Sequence, residues 1–167
     1  MHRESPTSEP GASSGSRKID EKWNDHFAMI TRGFWEEFNL RLPRNAWALY
    51  VALATFYSNR QARAFPKSEE LYTVCPLSVF SRSRAMFRLI DEGLIEVWGE
   101  RIKRRRRTFY RFPHVDAKGH HMAQVQQPTA QELLEQKQKG TLPPDFGWVE
   151  TAYLKSHRRV EEPCQLS

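Results

Sequence analysis

The pattern of the sequence changes at Gly93, and this change constrains the fold most strongly. In residues 79–92 the apolar side chains recur with the period of an α-helix, so they share one side while serines and arginines occupy the other. Ser78 and Ser81 both offer the hydroxyl that caps a helix N-terminus. Gly93 suits the left-handed residue that follows a last turn. These features predict a helix with one aliphatic side and one basic side.

Two short runs of strand-forming residues follow the glycine. Residues 94–97 form the first run and residues 108–112 the second, so the stretch between them, from Gly99 to Arg107, predicts the turn of a β-hairpin. Residues 101–107 of that turn carry six basic side chains and no acidic one. Because side chains alternate along an extended chain, Lys103, Arg105 and Arg107 would face one way and Arg104 and Arg106 the other. Mutual repulsion destabilises such a basic tip unless a partner neutralises it.

Charge is distributed unevenly along the chain. Lysine and arginine exceed aspartate and glutamate by 26 to 20 overall, and residues 23–113 hold 16 basic against 9 acidic residues. Residues 1–22 hold 4 of each, and residues 114–167 hold 6 basic against 7 acidic residues. A basic excess confined to one segment is typical of nucleic-acid binding, because neutralised phosphates release counterions. A solvated surface and a nuclear localisation signal are the alternative interpretations of the arginine run.

Two more helices are predicted before the basic one. Pro43 precedes residues 44–58, whose apolar side chains also recur with a helical period. Ser68–Val74 is predicted as a shorter helix, with Ser68 as its N-cap and two glutamates in its first turn. Aromatic residues are frequent from Trp23 onwards, so the folded domain is expected over residues 23–113.

The two ends of the chain are predicted to have less structure. Residues 1–22 contain no aromatic side chain and are rich in Ser, Pro, Gly and Glu, which predicts a disordered tail. Residues 114–167 are predicted to form a weakly structured tail. Thr129 and Glu132 have the spacing of a capping box, so a short helix is expected at 130–138.

The order of three helices and a two-stranded hairpin resembles the winged helix-turn-helix family. The resemblance covers residues 43–113 and rests on Ser78, Ser81, Arg84-Ala85, Leu89, the run Asp91-Glu92-Gly93-Leu94-Ile95-Glu96-Val97, and Phe109-Tyr110-Arg111. It implies a mainly α (α+β) fold with a small β-hairpin, in which a three-helix core carries a two-stranded wing. Position 82 is apolar in such helices and is Arg82 here. We therefore expect the helix to start at Ser81, which leaves Arg82 in a frayed first turn facing outwards.

The resemblance also implies a DNA-binding site, because the third helix of this family enters the major groove and the wing contacts the backbone or the minor groove. The residues assigned to DNA binding are Ser81, Arg82, Ser83, Arg84 and Arg88 of the helix, and Arg101, Lys103, Arg104, Arg105, Arg106, Arg107 and Arg111 of the wing. An arginine can donate to O6 and N7 of guanine together, whereas Ser81 and Ser83 suit phosphate oxygens. Arg88 has an alternative role in an ion pair with Asp91 or Glu92.

The function implied by the resemblance is that of a double-stranded DNA-binding protein, either a transcriptional regulator or a replication accessory factor. Its expected setting is the nucleoid in the cytoplasm of a bacterium, with a plasmid or a phage as further sources. Two alternatives stay open: an adaptor that binds an acidic protein through its hairpin, and an RNA-binding protein that stacks bases on residues 107–111. Besides DNA, the expected partner is a second copy of the chain or another protein bound through the C-terminal tail.

Patterns typical of enzymes, cofactor sites and metal sites are missing from the sequence. His114, His120 and His121 lack the spacing of metal ligands and are interpreted as part of a polar loop. Adjacent glutamates, such as Glu36-Glu37, point in different directions on a helix and do not converge like catalytic carboxylates. Cys75 and Cys164 lie far apart and are expected to be reduced thiols. We therefore expect no enzymatic activity, no cofactor, no metal and no membrane span.

Overall fold

The computed structural model describes residues 28–155, which form six helices and two β-sheets. In chain order the elements are β1 (Met29–Ile30), α1 (Arg32–Phe38), α2 (Arg44–Ala54), β2 (Tyr57–Ser58), β3 (Arg63–Ala64), α3 (Ser68–Val74), α4 (Val79–Asp91), β4 (Glu96–Ile102), β5 (Arg105–Arg111), β6 (His120–His121), α5 (Ala130–Gln138), a 3-10 helix (Pro144–Glu150) and β7 (Ala152–Leu154). The predicted disorder of residues 1–22 and the predicted free thiol of Cys164 lie outside the described residues.

A five-stranded antiparallel sheet forms the centre of the structure, in the order β2-β3-β5-β4-β7. The hairpin β4–β5 is its longest pair, and only Lys103 and Arg104 separate the two strands. Lys103 has a positive φ of 55°, which matches the tight turn between the strands. The strands β1 and β6 form a separate parallel pair at the edge of the helical layer.

The two faces of the hairpin are buried against different parts of the chain. Val97 and Tyr110 are cross-strand partners and pack against the core formed by α1–α4, so we call their side the helical face. Trp98 and Phe109 are the next partners along the strands and pack under α5 and the 3-10 helix, so we call their side the C-terminal face. The sheet therefore lies between two layers.

The predicted architecture of a three-helix core with a two-stranded wing is wrong. The hairpin exists, but β3 pairs with β5 on one side and β7 pairs with β4 on the other. The C-terminal segment, which was expected to be weakly structured, supplies α5, the 3-10 helix and β7. The physical reason is that the hairpin carries large apolar side chains on both faces, and a sheet of this kind needs a covering layer on each side.

Several predicted elements are confirmed. The structure has helices at Ser68–Val74 and Ala130–Gln138, and Thr129 and Glu132 form the predicted capping box. Gly93 has the predicted positive φ, at 69°. The N-cap of α3 is Lys67 instead of Ser68. The helix predicted over residues 44–58 ends at Ala54, because the chain turns there into the strand β2.

The prediction that α4 starts at Ser81 is wrong. The helix begins at Val79, because the hydroxyl of Ser78 accepts a hydrogen bond from the N–H of Ser81 at 3.2 Å and so caps the first turn. Arg82 therefore lies inside the helix. Its side chain is half-buried instead of facing outwards from a frayed end.

The histidines are not in a polar loop as expected. His121 is 1% exposed in β6, and its Nδ1 lies 2.5 Å from the hydroxyl of Tyr50. Burial lowers the pKa of His121 to about 4 and also lowers the pKa of His114. Cys75 is a buried free thiol whose pKa is raised by burial. No helix within residues 28–155 has the length and apolar character to cross a bilayer.

Candidate nucleic-acid interface

Helix α4 buries a narrow apolar side, and its exposed side carries serine and arginine together with exposed apolar side chains such as Phe80 and Phe87. Ala85 and Leu89 are its buried residues, and they pack against the layer that includes α2. Ser83 and Arg84 are exposed on the opposite side, and the guanidinium of Arg84 lies 5.1 Å from the ring centre of the exposed Phe80. Stacking on a ring restricts the flexible arginine side chain, so Arg84 is held at the surface of the helix.

The other side chains predicted on α4 have more partners. The hydroxyl of Ser81 accepts a bond from the hydroxyl of Ser78 at 3.0 Å, which ties Ser81 to the helix cap. Arg88 forms an ion pair with Glu92 at 2.8 Å and donates to the carbonyl of Arg41 at 3.3 Å. The structure therefore gives Arg88 the alternative role, an ion pair within the helix. Among the residues predicted on α4, Ser83 and Arg84 are exposed and take no part in the helix cap or in the ion pair with Glu92.

Arg82 connects α4 to the hairpin. It lies in a groove between α3, α4 and β5 that is also lined by Ser68, Leu71 and Tyr110. Burial raises the pKa of the Tyr110 hydroxyl, and the nearby positive charge of Arg82 opposes that rise. Since Tyr110 lies on the helical face of β5, the beginning of α4 lies on the same side of the sheet.

The basic hairpin continues this side of the sheet. Thr108 and Arg106 lie two and four residues before Tyr110 on β5, so all three side chains are on the same face. Every two residues along a strand cover about 7 Å. Arg106 is the cross-strand partner of Arg101, so the two arginines share the helical face. Both are exposed. The structure therefore brings Arg82, Arg101 and Arg106 to one side of the sheet.

The remaining basic residues of the hairpin are directed elsewhere. Arg105 pairs with Ile102 and Arg107 with Glu100, and both arginines lie on the C-terminal face. The guanidinium of Arg107 lies 4.6 Å from the ring centre of Phe65. Lys103 and Arg104 form the turn. The prediction that alternation divides the basic cluster holds for the two strands, whereas residues 103 and 104 lie in the turn.

Arg111 is buried. It is 0% exposed, and its guanidinium forms an ion pair with Glu96 at 2.7 Å and donates to the carbonyl of Pro128 at 3.0 Å. The Glu96 carboxylate in turn accepts a hydrogen bond from the N–H of Ala130 at the start of α5. This network fastens α5 to the sheet. Arg111 is therefore held inside the protein and does not reach a ligand on the surface.

Acidic side chains of the hairpin all lie on the C-terminal face. Glu96 and Glu100 are the two carboxylates of β4, and they lie beside Arg111 and Arg63, the latter at 3.8 Å from Glu100. Within residues 28–155, none of the basic side chains of residues 101–107 forms an ion pair with a carboxylate. The helical face of the hairpin thus presents arginines without internal counter-charges.

Two charged residues near the hairpin were missed by the sequence analysis. Arg63 of β3 stacks against Phe65, Phe109 and Trp148 with its guanidinium 4.5–5.2 Å from the ring centres. Lys155 follows β7, and its Nζ contacts the hydroxyl of Thr108 on the helical face. The short apolar run at 152–154, with an aromatic residue at its centre, was the available signal for a strand.

Comparisons with known proteins gave no significant match. No protein-family model matches the chain, and neither a curated protein nor a solved structure shows significant similarity to it. The arrangement of charge on the described residues therefore provides the grounds for a function.

Proposed function

We propose that the chain binds double-stranded DNA through the surface formed by α4 and the helical face of the basic hairpin. In this arrangement Arg84 contacts base edges in the major groove and Ser83 contacts a phosphate beside it, while Arg101 and Arg106 bind the phosphate backbone or the adjacent minor groove. The observation that carries the proposal is the separation of charge on β4 and β5. The arginines on the helical face are exposed without carboxylates, and the carboxylates of the same strands lie on the other face.

The chemistry of the surface favours a polyanion over a compact ligand. Exposed guanidinium groups at close spacing repel one another, and a regular array of phosphates relieves that repulsion while releasing counterions. A helix beside a basic hairpin also has two separate parts, which can contact base edges and backbone at the same time. As a biological role we propose regulation of transcription or assistance in replication, in the cytoplasm of a bacterium or for a plasmid or phage.

The first test is a titration of a labelled duplex with the full chain, followed by fluorescence anisotropy over a range of salt concentrations. We expect binding at low salt, with log K falling linearly against log salt by about 0.9 for each phosphate neutralised. Absence of duplex binding at low salt would refute the proposal. Preference for single-stranded RNA in a competition experiment would replace it with RNA binding, and a stoichiometric protein partner that survives nuclease treatment would replace it with the adaptor function.

A second measurement tests the role assigned to Arg84. Selection of bound duplexes from a random pool should give a motif for the original protein, and Arg84→Ala should lose the preference at one position, worth about 1–3 kcal/mol. Arg84→Lys is the matched control, because it keeps the charge and loses the planar fork. We expect it to retain affinity for random duplexes but not the preference. An equal loss of affinity on every duplex would contradict the assignment of Arg84 to a base.

A further inference from the structure

The strand β7 extends the basic hairpin on the side of β4. Gly99 is the cross-strand partner of Thr108 on β5 and of Tyr153 on β7. Since direct partners place their side chains on the same face, Tyr153 lies on the helical face. The C-terminal segment thus covers the C-terminal face with α5 and the 3-10 helix and also contributes a side chain to the opposite face.

Tyr153 occupies a position that only glycine at residue 99 allows. A Cβ atom added to Gly99 would clash with the ring of Tyr153, so the ring lies directly on the backbone of β4. Tyr153 nevertheless remains 42% exposed. The contact between Gly99 and Tyr153 therefore fixes β7 against the hairpin and leaves part of the ring at the surface.

Lys155 completes this side of the sheet. Its backbone N–H donates to the carbonyl of Val97 at 2.8 Å, which continues the pairing beyond the end of β7. Its Nζ contacts the hydroxyl of Thr108, which lies two residues along β5 from Arg106 and on the same face. Within the described residues, Lys155 forms no ion pair with a carboxylate.

We propose that Lys155 binds a phosphate of the same nucleic-acid backbone that Arg101 and Arg106 contact, and that the packing of Tyr153 on Gly99 positions it. This inference rests on the proposed function and deepens it, because it adds a third strand to the site. The ammonium of a lysine has three donors. When one of these N–H donors is directed to the hydroxyl of Thr108, the other two can bind phosphate oxygens. Tyr153 is a positioning residue, since its ring sets the place of β7 relative to the hairpin.

A purely structural role of β7 gives a different expectation. Tyr153 and Lys155 would then stabilise the edge of the sheet, and their loss would lower the free energy of unfolding without a specific effect on salt dependence. If Lys155 binds a phosphate instead, about one counterion is released, and this release steepens the slope of log K against log salt.

The experiment compares Lys155→Ala with Lys139→Ala in the full chain, using the same random-sequence duplex. Lys139 is the matched control, because it is an exposed lysine at the end of α5, which covers the C-terminal face. We expect Lys155→Ala to weaken binding several-fold and to reduce the salt slope by about one unit, and Lys139→Ala to leave the slope unchanged. Thermal unfolding of both variants verifies that each is folded.

A double-mutant comparison tests the positioning role. Tyr153→Ala should reduce the salt slope when Lys155 is present and should have no further effect on the slope in the Lys155→Ala variant. Tyr153→Phe keeps the ring on Gly99 and should bind like the original protein. If the original protein binds duplexes and Lys155→Ala keeps the full slope, this inference is wrong while the proposed function stands. If the original protein binds no duplex, the proposed function fails first.

Discussion

The two faces of the β4–β5 hairpin differ in the partners that their arginines have within the protein. On the C-terminal face, Arg111 is buried in an ion pair with Glu96, and Arg63 stacks on three aromatic rings beside Glu100. On the helical face, Arg101 and Arg106 are exposed side by side with no carboxylate partner. Arginine thus serves internal packing at Arg63 and Arg111 beside the C-terminal face, whereas Arg101 and Arg106 of the helical face remain open to an external partner. Arg105 and Arg107, closer to the turn, are exposed on the C-terminal face.

This difference separates the arginines that are held inside the protein from those that are open to a ligand. A buried guanidinium needs a counter-charge and hydrogen-bond acceptors within the protein, because desolvation opposes its charge. Burial accordingly lowers the pKa of Arg111, and the carboxylate of Glu96 opposes that effect. An exposed arginine has no such requirement, because its charge stays in contact with water. The comparison makes separate predictions for stability and for binding.

The largest expected effect concerns the buried pair. Replacing Arg111 by Met removes the partner of Glu96 and leaves a buried carboxylate uncompensated, so the free energy of unfolding should fall by about 3–5 kcal/mol. Urea denaturation followed by circular dichroism measures this change. Arg106→Met, on the exposed face of the same strand, is the control and should alter stability by about 0.5 kcal/mol or less.

A second variant isolates the cause. Glu96→Gln combined with Arg111→Met removes both charges and should recover part of the lost stability, because no unpaired charge remains inside. Equal effects of Arg111→Met and Arg106→Met would mean that the two faces do not differ in the way that the structure indicates.

The next prediction concerns the pH dependence of stability, which the helical layer should cause through a buried histidine. Under the helical face, the buried polar pair is neutral: Tyr50 bonds to His121, whose pKa burial lowers to about 4. The unfolded chain has a histidine pKa of about 6.5, so unfolding takes up a proton between these values. The free energy of unfolding should keep its full contribution from neutral His121 above pH 6.5. It should fall as the pH decreases towards 4, by about 2 kcal/mol at pH 5. The lowered pKa of His114 acts in the same direction.

Urea denaturation at several pH values measures this dependence, and two variants assign it. His121→Gln keeps an acceptor for Tyr50 but cannot titrate, so most of the loss between pH 6.5 and 5 should disappear. Tyr50→Phe removes the hydrogen bond and leaves the histidine buried, so the loss should persist, because desolvation is the main cause of the shift. A pH dependence that survives His121→Gln would disagree with this assignment.

Local signals in the sequence were sufficient to predict individual elements. The helix at Ala130–Gln138 follows from its capping box, the helix at Ser68–Val74 from the glutamates of its first turn, and the positive φ of Gly93 from its place after a last turn. Such features depend on residues within a few positions of one another. The start of α4 was missed because Ser78 and Ser81 are both good caps, and the arginine at position 82 favoured the later start.

Long-range pairing could not be read from the sequence in the same way. The strands β3 and β7 have two and three residues, and their pairing with the hairpin depends on contacts tens of positions away. Arg111 was assigned to DNA binding because the resemblance places it in the second strand of the wing. Its burial depends on Glu96 and Pro128, which approach it only in the folded chain. The apolar pair of Trp98 and Phe109 was the signal that the hairpin is covered on both faces.

The last prediction compares the two faces of the hairpin directly in DNA binding. Arg101→Ala with Arg106→Ala removes two charges from the helical face, and Arg105→Ala with Arg107→Ala removes two from the C-terminal face of the same hairpin. Because net charge changes equally, any difference reports position. We expect the first pair to reduce the salt slope by about 1.8 and to weaken binding about tenfold, and the second pair to have a smaller effect on both. Equal salt slopes in anisotropy titrations would mean that DNA surrounds the whole tip, and the helical face would lose its special role.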